Sequence, residues 1–109
     1  MQLVPAVVVL TSSLTYSHWA RLADLAREYR LPSITGFGAG GLLSYAVNIK
    51  AIFRQCADYV DKILKGAKPS DLPIQRPTKI DLIVDLKIAK ALGITIPPSI
   101  LARADQVIE

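Results

Sequence analysis

Few side chains in this 109-residue sequence could make or break bonds, and those few lie far apart. His18 is the only histidine and Cys56 the only cysteine, so no metal cluster of ordinary ligand spacing can be assembled from them. Ser12, Ser13 or Ser17 could be set beside His18. The sequence offers no glycine-flanked serine on a nucleophile elbow, however, and His18 reads as a first-turn helix residue. Asp58 and Asp61 each have a lysine one turn on, as on a solvated surface. Gly36, Gly38 and Gly41 match G-x-G-x-x-G after a strand-like run. That fingerprint needs a helix to follow at once, whose amides would hold a pyrophosphate. Leu42 to Ala46 reads as a strand instead, and the glycines then make a tight turn.

Better placed for function are the polar residues expected at the carboxyl ends of strands, where open α/β sheets hold their ligands. Thr11, Ser12 and Ser13 follow the first strand, and Ser44 and Tyr45 close the third. Small hydroxyls beside an aromatic plate would suit a small organic or amino-acid ligand. Ser13 and Ser17 read equally well as helix caps. Ser12, Ser13, Ser44 and Tyr45 are thus the candidate ligand-binding residues, with no catalytic residue, metal or cofactor among the expectations.

The elements that must position these residues are legible in the apolar pattern. Ala6 to Leu10 is a β-branched run without alternation, which predicts a central parallel strand covered on both faces. A helix is expected from about Ser17 to Arg30, with Trp19, Leu22, Ala23, Ala26 and Tyr29 on one face and Leu31-Pro32 as its stop. Ser33-Ile34-Thr35 reads as a short strand. After the glycine loop and the strand Leu42 to Ala46, a helix capped by Asn48 carries Phe53, Cys56, Ala57, Val60, Ile63, Leu64 and Ala67 at three- and four-residue steps. That stripe is expected to be buried against a second element, with Cys56 a small buried hydrophobe. Gly66 suits the left-handed position after it, and Pro69 and Pro73 forbid continuation. Ile80 to Asp85 alternates as a strand, and Asp85 can cap a helix from Leu86 to Leu92 stopped by Gly93. Ile94 to Ile96 reads as extended, a helical turn starts at Pro97-Pro98-Ser99, and Val107-Ile108 is a small apolar tail. The order of elements predicts an α/β layered, mostly parallel sheet.

The totals exclude several classes. At 109 residues and 51% apolar composition, one compact domain spanning residues 1–109 is the expectation. No apolar run approaches the roughly 20 residues that span a bilayer, and no signal peptide is recognisable. The net charge of +4 comes from interleaved cations and anions, and the aromatic residues are one Trp, four Tyr and two Phe. Neither a phosphate-tracking stripe nor a base-stacking platform stands out, so no nucleic-acid partner is expected.

Three blocks carry a resemblance to a known family. Gly40-Gly41-Leu42-Leu43-Ser44-Tyr45 is one. The second runs from Tyr59 through K-G-A-K-P-S-D-L-P to Pro73, with Gln75-Arg76-Pro77-Thr78-Lys79 after it. The third is the ending from Leu86 through G-I-T-I-P-P-S-I-L to Glu109. Together they resemble the C-terminal part of a bacterial family of ABC-transporter substrate-binding proteins. The resemblance implies a partial type I periplasmic-binding-protein fold, in which two α/β lobes close on a small ligand without catalysis and deliver it to a membrane permease. Some relatives bind aromatic amino acids. Ser44 and Tyr45 then become cleft candidates through the G-G-L-x-S-Y match, and Ser12 and Ser13 through the segment after the first strand.

Two departures from the family are local: a glycine-rich loop replaces a longer, partly helical segment, and Ala46 stands where glycine is usual. The third is large, since the export signal and most of the first lobe are missing from this sequence. The expectation is therefore a fragment of a two-lobed carrier, with an open sheet edge and an uncovered apolar face remedied by self-association, most simply as a dimer. A truncated oligomeric interaction module without transport is the alternative, and a nucleotide-binding enzyme a further one. The family resemblance places the protein in the periplasm or outside the cytoplasm; with Met1 as the true start it would be cytoplasmic.

Overall fold

The computed structural model describes residues 5–38 and 40–109, so Val4 and Ala39 of the expected elements lie outside the described residues. Its strands form one five-stranded sheet in the order β1 (Val7–Val9), β2 (Ser33–Thr35), β3 (Leu43–Val47), β4 (Ile80–Asp85) and β5 (Gln106–Ile108). β1 pairs parallel with β2, β2 with β3, and β4 with β5. β3 and β4 run antiparallel. The Asp85 N–H donates to the Leu42 carbonyl and the Asn48 N–H to the Lys79 carbonyl, so one strand climbs as the other descends. The α/β, mostly parallel expectation holds, with this single reversal.

The chain divides into two compact units, Met1–Ala46 with Asp81–Glu109, and Val47–Ile80. In the first unit, β4 supplies the centre of the core. Val84 is fully buried with Leu42, Ala89 and Ile96, and Leu43, Leu82, Leu86 and Ile100 pack around them. Asp85 ends β4 and caps α4 (Leu86–Leu92), its carboxylate accepting from the Ile88 N–H at 3.1 Å. Gly93 then closes α4 in the left-handed conformation, φ 71°. α5 (Pro98–Arg103) leads to β5, which the sequence reading took for a small apolar tail. Asp105 makes it a strand, because its N–H donates to the Leu82 carbonyl and its carboxylate accepts the Leu82 N–H, both at 2.8 Å.

Two expectations about the first third change. The apolar run at Val7–Val9 is an edge strand and not a central one, and Val8 and Leu10 are exposed. β-Branched residues favour extended backbone in either setting, and the sequence does not say which neighbours arrive. The single expected helix is also two, α1 (Ser13–Ser17) and α2 (Trp19–Glu28). Ser12 starts α1 early through a reciprocal pair with Thr15: its hydroxyl accepts the Thr15 N–H, and the Thr15 hydroxyl accepts the Ser12 N–H. α2 ends where expected, with Arg30 left-handed at φ 54° and the Leu31 N–H donating to the Ala26 carbonyl.

The second unit is built on α3 (Ile49–Leu64), capped by the Asn48 side chain accepting from the Ala51 N–H at 2.8 Å. Its half-buried residues are Ala51, Ile52, Gln55 and Tyr59. Ile52, Gln55 and Tyr59 border a hollow shared with Gln75 and Pro77, and the Tyr59 hydroxyl donates to the Pro73 carbonyl. The stripe expected to be buried faces solvent instead, and Cys56 is exposed with it. Apolar periodicity identifies a face that can be covered; whether anything covers it depends on elements the helix itself does not encode. Of the expected i,i+4 pairs, Asp61 and Lys65 meet at 2.8 Å.

This arrangement sets a contrast between two valines of the same sheet. Val84→Ala should cost about 2–3 kcal/mol in urea unfolding, since it empties the centre of the core. Val8→Ala should cost under about 0.5 kcal/mol.

Candidate functional site

The parallel strands β1, β2 and β3 direct their carboxyl ends to the same side of the sheet. There the α1 segment and the glycine loop meet around Phe37. Its ring is buried and packs edge-on against Trp19, centroids 5.0 Å apart, and against Tyr16 at 5.9 Å. Its carbonyl is held from below by two hydroxyls, Thr35 Oγ1 donating at 2.6 Å and Ser44 Oγ at 3.3 Å. Both hydroxyls are buried, so these bonds satisfy groups that would otherwise be costly to remove from water.

The glycines are set by close approach. At Gly40, φ is +133° and a Cβ would lie 2.4 Å from Trp19 Nε1, so only glycine lets the loop pass over the indole. A Cβ at Gly36 would sit 2.6 Å from Thr11 Oγ1, which brings the β2 exit directly against the segment leaving β1. The loop then enters β3, a strand, and presents no helix amides to a phosphate. The dinucleotide fingerprint is matched in letters without its geometry.

The four candidate residues do not form one cluster of like environment. Ser12 and Ser13 are exposed beyond the end of β1, where Ser12 caps α1 and the Ser13 carbonyl accepts from the Ser17 hydroxyl at 2.7 Å. Ser44 is buried, its hydroxyl committed to the Phe37 carbonyl. Tyr45 is exposed, and as the next residue on a strand it projects from the opposite face. The sequence reading missed Thr35, Phe37 and Tyr16. An isolated aromatic inside a glycine run was the available signal, since a permissive loop needs something to fix it.

Two hollows in the first unit are lined by none of the four candidate residues. One, of about 240 Å³, is apolar and runs between α2 and β1, bordered by Val9, Trp19, Leu22 and Tyr29. The other, about 410 Å³, is lined by Arg27, Arg30, Lys87, Ile88, Ala91 and Leu92, on the side where β2 begins.

Comparisons bear on what this arrangement serves. The family model described as ABC transporter substrate binding protein matches residues 2–108. Two solved structures superpose with TM-score 0.84 at 29% identity. A conserved domain protein from Vibrio cholerae does so over 94% of this chain and 36% of that one. An ABC domain in complex with L-Trp from Streptococcus pneumoniae does so over 97% and 38%. A ligand-free, open substrate-binding protein with adhesive properties from Clostridium difficile matches at TM-score 0.62 and 27% identity, over 93% and 35%. The chain thus spans little more than a third of the solved chains it matches. No curated protein matches it.

The two hydroxyls on the Phe37 carbonyl should prove unequal. Ser44→Ala leaves the shorter bond in place and should cost about 0.5–1.5 kcal/mol, whereas Thr35→Val removes the closer donor and should cost about 1–3 kcal/mol. Urea unfolding followed by Trp19 fluorescence measures both, because the indole rests on Phe37.

Proposed function

The chain belongs to the ABC transporter substrate-binding protein family, and from that premise we propose that it is the C-terminal part of a non-catalytic carrier for a small organic solute. The observation that carries this reading is the family match over nearly the whole chain, joined to a fold shared with solved substrate-binding domains. An aromatic amino acid is the first ligand class to test, since a structural neighbour holds L-Trp. In this reading the two compact units are pieces of the two lobes, and the protein works outside the cytoplasm with an ABC permease as its partner. Ser12 and Ser13 would face the ligand at the carboxyl end of β1, and Tyr45 would offer an aromatic plate. Ser44 would act from beneath by holding the Phe37 carbonyl, which fixes the loop at the cleft.

A second reading is favoured by the exposed apolar residues Val8, Leu10 and Phe53. In it the chain is an oligomeric interaction module that carries no solute. Self-association belongs to both readings, with a second copy of the chain as the proposed partner.

Calorimetry of the 109-residue chain with tryptophan, tyrosine and the branched amino acids separates them. The carrier reading expects saturable heat for at least one aromatic amino acid, weakened about tenfold by Tyr45→Ala with unfolding unchanged. Silence across the whole set would discard the carrier reading in favour of the second.

A further inference from the structure

The hollow of about 410 Å³ on the side where β2 begins is walled by two elements far apart in sequence. Arg27 and Arg30 come from the end of α2 and the residues after it, and Lys87, Ile88, Ala91 and Leu92 come from α4. Half of this wall is cationic, half is apolar, and no carboxylate lines it. Like charges gathered around one space repel, and an anion between them removes that cost. A hollow of this volume is large enough for a small ligand.

The three cations are held in different ways. Arg27 pairs with Asp24 one turn back, an exposed contact of little worth that leaves other guanidinium N–H groups to donate. Among the described residues, Arg30 alone of the non-glycines has left-handed backbone, φ 54°. Glycine takes that conformation without steric cost, so an arginine stands there at a loss that its side chain has to justify. Its guanidinium donates to the Ala91 carbonyl across the hollow at 3.4 Å, which sets the planar group at the wall with further donors unused. Lys87 makes no ion pair or hydrogen bond among the described residues. The carboxyl end of α2 accounts for a cation at Arg27 through the helix dipole, but Lys87 sits in the first turn of α4, where a cation gains nothing from it.

We propose that this hollow binds an organic phosphate. Two guanidinium forks and an ammonium match the charge and the several oxygens of a phosphate dianion better than a single carboxylate. Ile88, Ala91 and Leu92 then lie against the apolar part of the same molecule. The proposal goes beyond the carrier reading and does not rest on it, because none of Ser12, Ser13, Ser44 and Tyr45 lines this hollow.

Calorimetry of the 109-residue chain with phenyl phosphate at low salt should show one saturable site, weakened by added sodium chloride. Inorganic phosphate, which lacks the apolar part, should bind about threefold to tenfold more weakly, and benzyl alcohol should give no saturable heat. Lys87→Gln should weaken phenyl phosphate about tenfold with helix content by circular dichroism unchanged. Arg30→Gly is the sharper variant. It should weaken binding about tenfold while the urea midpoint holds or rises, since glycine relieves the left-handed backbone. A lower midpoint with unchanged binding would make Arg30 a structural residue and overturn the proposal. No saturable heat with phenyl phosphate, heat indifferent to both variants, or equal affinity for benzyl alcohol would overturn it as well. Co-sedimentation with phosphatidylcholine vesicles containing phosphatidic acid then separates the two sources of such a group. Capture that Lys87→Gln abolishes identifies a lipid headgroup, and a phenyl-phosphate-binding chain left in the supernatant identifies a soluble phosphate.

Discussion

The carbonyl and ring of Phe37 bear the constraint on which the carboxyl side of the sheet depends. Parallel neighbours such as β2 and β3 ordinarily require a crossover of about a dozen residues or more, most often with a helix in it. Here the connection from Gly36 to Leu42 suffices, with no helix among its described residues. A connection that short has little side-chain area with which to hold itself against the sheet. Phe37 supplies what a helix would have supplied. Its ring fills the space beside Trp19 and Tyr16, and its carbonyl is tied down by Thr35 and Ser44. The glycines around it are then permissive in a specific sense: each allows an approach that a Cβ would forbid, with Trp19 at Gly40 and Thr11 at Gly36.

From that anchor the rest of the first unit follows in order. β3 emerges level with β2, and the chain returns antiparallel as β4, which turns the second half of the sheet over. The reversal matters because right-handed connections then lay α2 on one face and α4 on the other. The face carrying Val84 is thereby filled at its centre, and the same face at Val8, near the β1 edge, is left in solvent. A sheet of this composition thus has both a dense centre and bare apolar area. The bare area is the physical basis for expecting partners, and α3 adds to it independently.

Local chemistry was legible in the sequence and neighbourhood was not. Asn48 and Asp85 as caps, Gly93 as a stop, and the three-residue strand at Ser33 could all be read because each is decided within four or five residues. The resemblance to substrate-binding proteins could be read from K-G-A-K-P-S-D-L-P and its neighbouring blocks, and the family model agrees over residues 2–108. Burial was misread wherever it hinged on distant elements. The β1 run and the α3 stripe are apolar enough for a core, yet Val8 and Phe53 are open to solvent. Of the candidate site residues, strand alternation buries Ser44 while exposing Tyr45, a division the sequence reading did not draw. Thr35 and Phe37 escaped notice because their role exists only once the loop has folded back.

The claim that most of this account depends on is that Phe37 does the work of the absent crossover helix. Equilibrium unfolding of Phe37→Ala, followed by the near-ultraviolet signal of Trp19, tests it most directly. The account predicts a loss of about 3–5 kcal/mol together with collapse of the Trp19 signal in the native baseline. A variant that keeps that signal and unfolds within about 0.5 kcal/mol of the parent chain would contradict it.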